Sequence, residues 1–146
     1  MTRPVILGAT ALVMAFAGAR DPAAQQLSLP YDDAAAVERG AALYAENCAS
    51  CHGDQLQGEP NWRQRGEDGL MPAPPHDETG HTWHHSDEIL FQLTKFGPGA
   101  LIEGYQSNMP GFDGVLTDQQ ILDTLGYIKS TWPARMQQIQ DARNGG

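Results

Sequence analysis

The chain has 146 residues, nine of them basic against eighteen acidic, a formal net charge of -9, and two cysteines. That length suits one domain, and the acidic balance excludes the basic footprint that nucleic-acid binding requires. With 40% hydrophobic and 18% charged residues it is neither a disordered acidic tail nor a membrane bundle, yet sixteen glycines and ten prolines mark much irregular backbone.

Residues 1–19 read as a secretory signal peptide. Arg3 supplies a positive start, Val5 to Phe16 is small and apolar, and Ala17-Gly18-Ala19 fits a small-x-small cleavage site. An uncleaved membrane anchor is the competing reading, but Val5 to Ala19 is 15 residues, short of the roughly 20 that a span needs. A periplasmic location is therefore expected, with no stable membrane insertion after cleavage. Residues 20–32 follow as a flexible leader. The first helix opens near Asp32-Asp33, whose carboxylates suit a helix start, and repeats Val37, Ala41, Tyr44 and Ala45 at helical spacing up to the cysteines. A second starts at Ser86, with Asp87 and Glu88 in its first turn. It carries Ile89, Leu90, Leu93 and Phe96 on one stripe and stops at Gly97-Pro98. A third starts at Thr117, which forms a capping-box pattern with Gln120, and turns Ile121, Leu122, Leu125 and Ile128 inward before Pro133 ends it near Trp132. No alternating strand run of convincing length is found. The reading is all-α, one domain over 33–134 and a flexible tail over 135–146.

Gly53 to His85, between the first two helices, spans 33 residues with five glycines, four prolines and no usable period. Such a stretch counts against a compact domain unless it wraps a rigid apolar object. Cys48-Ala49-Ser50-Cys51-His52 provides for one, because C-x-x-C-H is a haem-attachment motif. Cysteines three apart at a helix end share a face, so each can form a thioether to one vinyl group of a single haem. His52, next in line, can then ligate the iron. A thioredoxin-like pair needs a preceding strand, a zinc site needs further cysteines, and a 48–51 disulfide closes almost no loop. One covalent haem c, held through Cys48 and Cys51, is the reading.

The run Glu38-Arg39-Gly40, with Tyr44 and then Cys48 to Gly53, resembles the N-terminal helix and haem motif of small bacterial class I cytochromes c. The resemblance covers Ala34 to Pro133 and includes Pro72-Ala-Pro-Pro-His-Asp, Trp83-His-His-Ser-Asp-Glu and Asn108-Met109-Pro110-Gly111-Phe112. It implies the cytochrome c fold, three main helices with long loops around one covalently bound haem. It also implies that Gly40 and Tyr44 pack against an aromatic of the last helix, for which Tyr127 is placed. The packing has its own logic, since a glycine lets helices cross closely and Tyr44 lies one turn along the same face.

Two methionines of the domain precede proline and so project from extended backbone, Met71 and Met109. The resemblance places the axial methionine at Met109, with Met71 the lesser alternative as core filler. A His52/Met109 pair raises the potential and closes the iron to small molecules, which describes a one-electron carrier rather than an enzyme. A haem enzyme or gas sensor with a displaceable sixth ligand is the alternative, as is a haem domain that docks within a larger complex. The resemblance gives the second nitrogen of the ligating histidine a proline carbonyl, here Pro74 or else Pro75. Trp83, Tyr105, Arg63 and Arg65 are candidate donors to the haem propionates, and Trp62 reads as loop packing. His76, His81, His84 and His85, with Asp77 and Asp87, could hold a second metal such as copper or zinc; the plainer reading sets them along the haem edge and the second helix cap. The acidic surface implies a monomer whose redox partners carry basic docking patches.

Overall fold

The structure, a computed structural model, describes residues 27–144. The expected signal peptide and most of the leader lie outside the described residues. Asp33 starts the first helix, α1 (Ala34–Asn47), by accepting from the backbone N–H groups of Ala35 at 2.9 Å and Ala36 at 3.3 Å. Those are donors that a helix start otherwise leaves unpaired. The expected continuous run into the cysteines is broken at Cys48, beyond which a single turn, α2 (Ala49–His52), closes the motif.

Ser86 caps α3 (Asp87–Phe96), and Gly97 stops it at φ +81°, a value that favours glycine. The short α4 (Pro98–Leu101) follows, and α5 (Asp118–Ser130) opens on the complete Thr117–Gln120 capping box. Pro133 ends the path of α5 and opens a further helix, α6 (Ala134–Asn144), where its carbonyl accepts from Met136 and Gln137. Among the described residues there is no strand, only an isolated bridge between Asp113 and Leu116. The fold is all-α.

The core forms where α1 crosses α5. A Cβ added at Gly40 would stand 2.9 Å from the Tyr127 Cβ and closer still to the Asp123 carbonyl, so only a glycine permits this approach. Tyr44 is buried, with its ring 5.5 Å from that of Tyr127. Ile121, Leu125, Ile128 and Trp132 of the last segment join Leu90, Phe91 and Phe112 in the same cluster. Each such buried side chain contributes about 1.5–3 kcal/mol. Beside the crossing, the Arg39 Nε donates to the buried Asp123 carboxylate at 2.7 Å, and Gln119 donates to its other oxygen at 2.8 Å.

The described parts of two segments read as flexible, residues 27–32 and 135–144, are ordered here. Leu29 of the expected leader is 2% exposed and belongs to the core, and its N–H donates to Asp87 at 3.1 Å. The expected tail is α6, held mostly by polar bonds. The fully buried Gln140 donates to Asp87 and to the His85 carbonyl, Asn144 accepts from the Asp87 N–H, and Asp141 accepts from the buried Lys129 and from Tyr31. Lys129 also sits 4.1 Å above the Tyr31 ring. The two ends of the described chain are thereby stapled together against α3 and α5.

Candidate functional site

His52 is carried to its position by the turn of α2. Its N–H donates to the Cys48 carbonyl, Gly53 at φ +82° reverses the chain, and the Tyr44 hydroxyl donates to the Gly53 carbonyl at 3.0 Å. The Nδ1 of His52 lies 2.8 Å from the carbonyl oxygen of Pro74. A carbonyl only accepts, so Nδ1 carries the proton. Burial of the ring lowers its pKa and keeps it neutral. The lone pair is therefore on Nε2, free for a metal. Of the two prolines left open by the sequence, Pro74 makes this bond.

The loop that delivers Pro74 is not held by a hydrophobic core of its own. Gly58 donates to the His52 carbonyl and Glu59 to the Ala73 carbonyl, while the Glu59 carboxylate accepts from the Ala73 N–H. His76 and Asp77 both donate to the Leu56 carbonyl, and Leu56 itself is buried. Gly58, at φ +67°, is the close approach: a Cβ there would stand 2.5 Å from the Pro75 nitrogen and 2.7 Å from the Pro74 carbonyl carbon. Gly58 and Leu56 carried no sequence signal beyond the general excess of glycine.

Cys48 and Cys51 are free thiols, Cys48 half-buried and Cys51 exposed. Burial pushes the Cys48 thiol up to about 11, the opposite of the lowered value that a reactive redox cysteine needs. Met109 is half-buried against the same core that Cys48 and Trp83 contact, whereas Met71 lies on the loop outside that cluster. The Met109 segment is anchored to the end of α3. Phe112 donates to the Thr94 carbonyl and Asp113 to the Lys95 carbonyl, which satisfies acceptors that a helix end leaves unpaired. A Cβ at Gly97 would stand 2.9 Å from the Gly111 nitrogen and 3.3 Å from the Met109 carbonyl.

The candidate propionate donors are dispersed. Trp83 packs on the core with its indole N–H buried and without a partner. Tyr105 is half-buried on the turn after α4. Arg63 stacks on Trp62 at 4.5 Å and Arg65 donates to the Gly69 carbonyl, so both arginines are engaged within their own loop.

The four histidines do not converge as a metal site. Among the described residues no three His, Cys, Asp or Glu side chains are grouped to hold a metal ion. His76 stacks instead on His52, His81 stacks on Trp62, and His85 meets the edge of His81. Asp77 caps Thr79, and Asp87 is spent on Leu29 and Gln140. The second-metal reading thus finds no ligand cluster among the described residues, where these rings lie against other rings and the two carboxylates serve backbone and amide donors.

The cytochrome c family model matches residues 37–132. The chain belongs to the cytochrome c family. Among curated proteins it is similar to the Cbb3-type cytochrome c oxidase subunit FixP of Sinorhizobium medicae, 27% identical over 104 residues. That match covers 70% of this chain and 32% of the relative, so the chain spans about a third of the relative's length. No solved structure matches. A cytochrome c domain implies covalent haem c, and the residues present fit that group. Two free thiols stand beside a histidine with a directed lone pair, and the orphaned Trp83 N–H is a buried donor in want of an acceptor, as a haem carboxylate would provide. No helix among the described residues is long and apolar enough to cross a membrane.

Proposed function

We propose that this cytochrome c is a periplasmic mono-haem one-electron carrier, its haem joined by thioethers to Cys48 and Cys51 and its iron held between His52 and Met109. When bound, the haem supplies reversible one-electron oxidation and reduction at iron. The chain's own residues do the rest. The Pro74 carbonyl fixes the tautomer and direction of His52, and the anchoring of residues 112–113 to α3 fixes the segment that carries Met109. Trp83 offers its N–H to a haem carboxylate, with Tyr105 as a second donor from the turn after α4.

The observation that carries this reading is the 2.8 Å bond between His52 Nδ1 and the Pro74 oxygen, which leaves the Nε2 lone pair free to ligate. A rigid two-ligand site costs little rearrangement when the iron changes charge, which suits electron transfer and shuts out small ligands. The test is the ferric spectrum of the haem-loaded chain. A low-spin form with a weak far-red sulfur-to-iron band supports the carrier. A high-spin form that binds cyanide or carbon monoxide without delay supports a sensor or enzyme.

The export reading rests on residues 1–19, and haem attachment of this kind belongs outside the bacterial cytosol. The net charge of -9 suits a monomer that meets redox partners bearing basic patches, and such association weakens as salt rises.

A further inference from the structure

His76 follows Pro74-Pro75, the pair that brings the Pro74 carbonyl to His52. Its ring lies face to face with that of His52, the centroids 3.9 Å apart and the planes 19° from parallel. Tyr44 closes another side, edge-on at 6.0 Å. Both backbone groups of His76 are tied, the N–H to the Leu56 carbonyl at 2.8 Å and the carbonyl to the Trp132 indole N–H at 2.7 Å. The ring is thus held from its main chain outward.

Its Nδ1 is buried with no hydrogen-bond partner. Leaving a buried polar atom unpaired is unfavourable, and a leucine of similar volume would fill the space without that cost. Packing alone does not account for a histidine here. A flat ring stacked on another flat ring does something that an aliphatic side chain cannot. The single hydrogen bond to Pro74 fixes where Nδ1 of His52 points, but acceptor geometry at a carbonyl is broad and leaves the ring free to tilt. A parallel face at 3.9 Å blocks that tilt.

We propose that His76 is a positioning residue for the axial histidine, its stacked ring setting the plane of the His52 imidazole. The proposal rests on His52 ligating the haem iron, as proposed above. Partners behind a ligand commonly orient it, and here the orientation comes from a ring face as well as from a carbonyl. The plane of an axial imidazole decides which iron d orbital it overlaps, so it governs the uneven spin density over the haem in the ferric state. His76 thereby acts on the electronic structure of the iron without touching it.

The test is proton NMR of the ferric, haem-loaded protein, reading the paramagnetically shifted haem-methyl resonances in wild type, His76→Phe, His76→Leu and His76→Ala. His76→Phe keeps a flat face and is expected to preserve the order and spread of the methyl shifts. His76→Leu and His76→Ala remove the face and are expected to change both, while all variants stay low-spin with covalent haem. His76→Leu keeps most of the volume, so it stays readable where His76→Ala loses stability. Wild-type methyl shifts in both aliphatic variants overturn the proposal, as does a change in His76→Phe as large as in His76→Ala. If the wild type is not low-spin, or keeps its low-spin spectrum in His52→Ala, the ligation reading itself falls and this inference with it.

Discussion

The Nδ1–H of His52 donates to the Pro74 carbonyl oxygen with 2.8 Å between nitrogen and oxygen, across 22 residues of loop in which Leu56 is the buried apolar side chain. What closes that distance is a glycine. Gly58, in the left-handed region, lets the chain run directly beneath the Pro74-Pro75 peptide.

Gly58→Ala tests this dependence. The variant strains a positive φ and drives a Cβ into Pro74 and Pro75, for a loss of about 1–3 kcal/mol in unfolding free energy. Displacing the carbonyl also weakens donation from Nδ1–H, which makes the imidazole a poorer electron donor to ferric iron. The midpoint potential should rise. A potential equal to wild type in a destabilised variant would show that the Pro74 bond does not tune the site.

Gly40→Ala addresses the helix crossing. The added methyl meets the Asp123 backbone and the Tyr127 Cβ, neither of which can rotate away. Chemical denaturation of the haem-loaded chain should show a loss of about 1–3 kcal/mol, with the iron spectrum unchanged. A loss near zero would mean that α1 and α5 separate freely at this point.

Asp87→Ala removes the acceptor that joins the N-terminal segment to α6. The Leu29 N–H and the Gln140 amide would be left buried without it. The expected cost is about 2–4 kcal/mol for two orphaned donors, seen as a lower denaturation midpoint. Deleting residues 134–146 should cost a similar amount. Wild-type stability in both variants would contradict the stapled ends.

His81 and His85 impose a pH dependence. Burial lowers the pKa of both, reinforced at His81 by His84 and Arg63 and at His85 by His81, His84 and Arg143. The unfolded chain then takes up protons first, from its ordinary value of about 6.5 downward. Stability is fully present above that value and is lost as pH falls toward the lower folded values. Urea midpoints measured from about pH 7.5 to about pH 5.5 should decline, and His81→Gln with His85→Gln should flatten the slope. His76, whose pKa burial of the ring also lowers, leaves a residual slope in the same direction. An unchanged slope in the double variant would refute the assignment.

The helices with apolar periodicity were legible in the sequence, and so was the chemistry of the motif. Asp33, Ser86 and Thr117 cap where their side chains suggest, and the Gly40–Tyr127 approach follows from a glycine one turn before an aromatic. The last helix was not legible. In Ala134–Asn144 the buried residue is Gln140, Met136 packs against the core only in part, and the bonds that hold the helix are made by Gln140, Asp141 and Asn144, so hydrophobic periodicity has little to detect. The role of His76 was hidden for a related reason. Four histidines close in sequence suggest a metal, whereas the loop bond to Leu56 sets the His76 ring against that of His52.

In the proposed carrier Met109, from the segment anchored to α3, would hold the iron together with His52. The most direct test is the ferric absorption spectrum of the haem-loaded protein beside that of Met109→Ala. The expected result is a low-spin wild type with a weak far-red sulfur-to-iron band, and its loss in Met109→Ala with conversion to a form that binds cyanide readily. A far-red band that survives in Met109→Ala, or a wild type that lacks the band from the start, would contradict it.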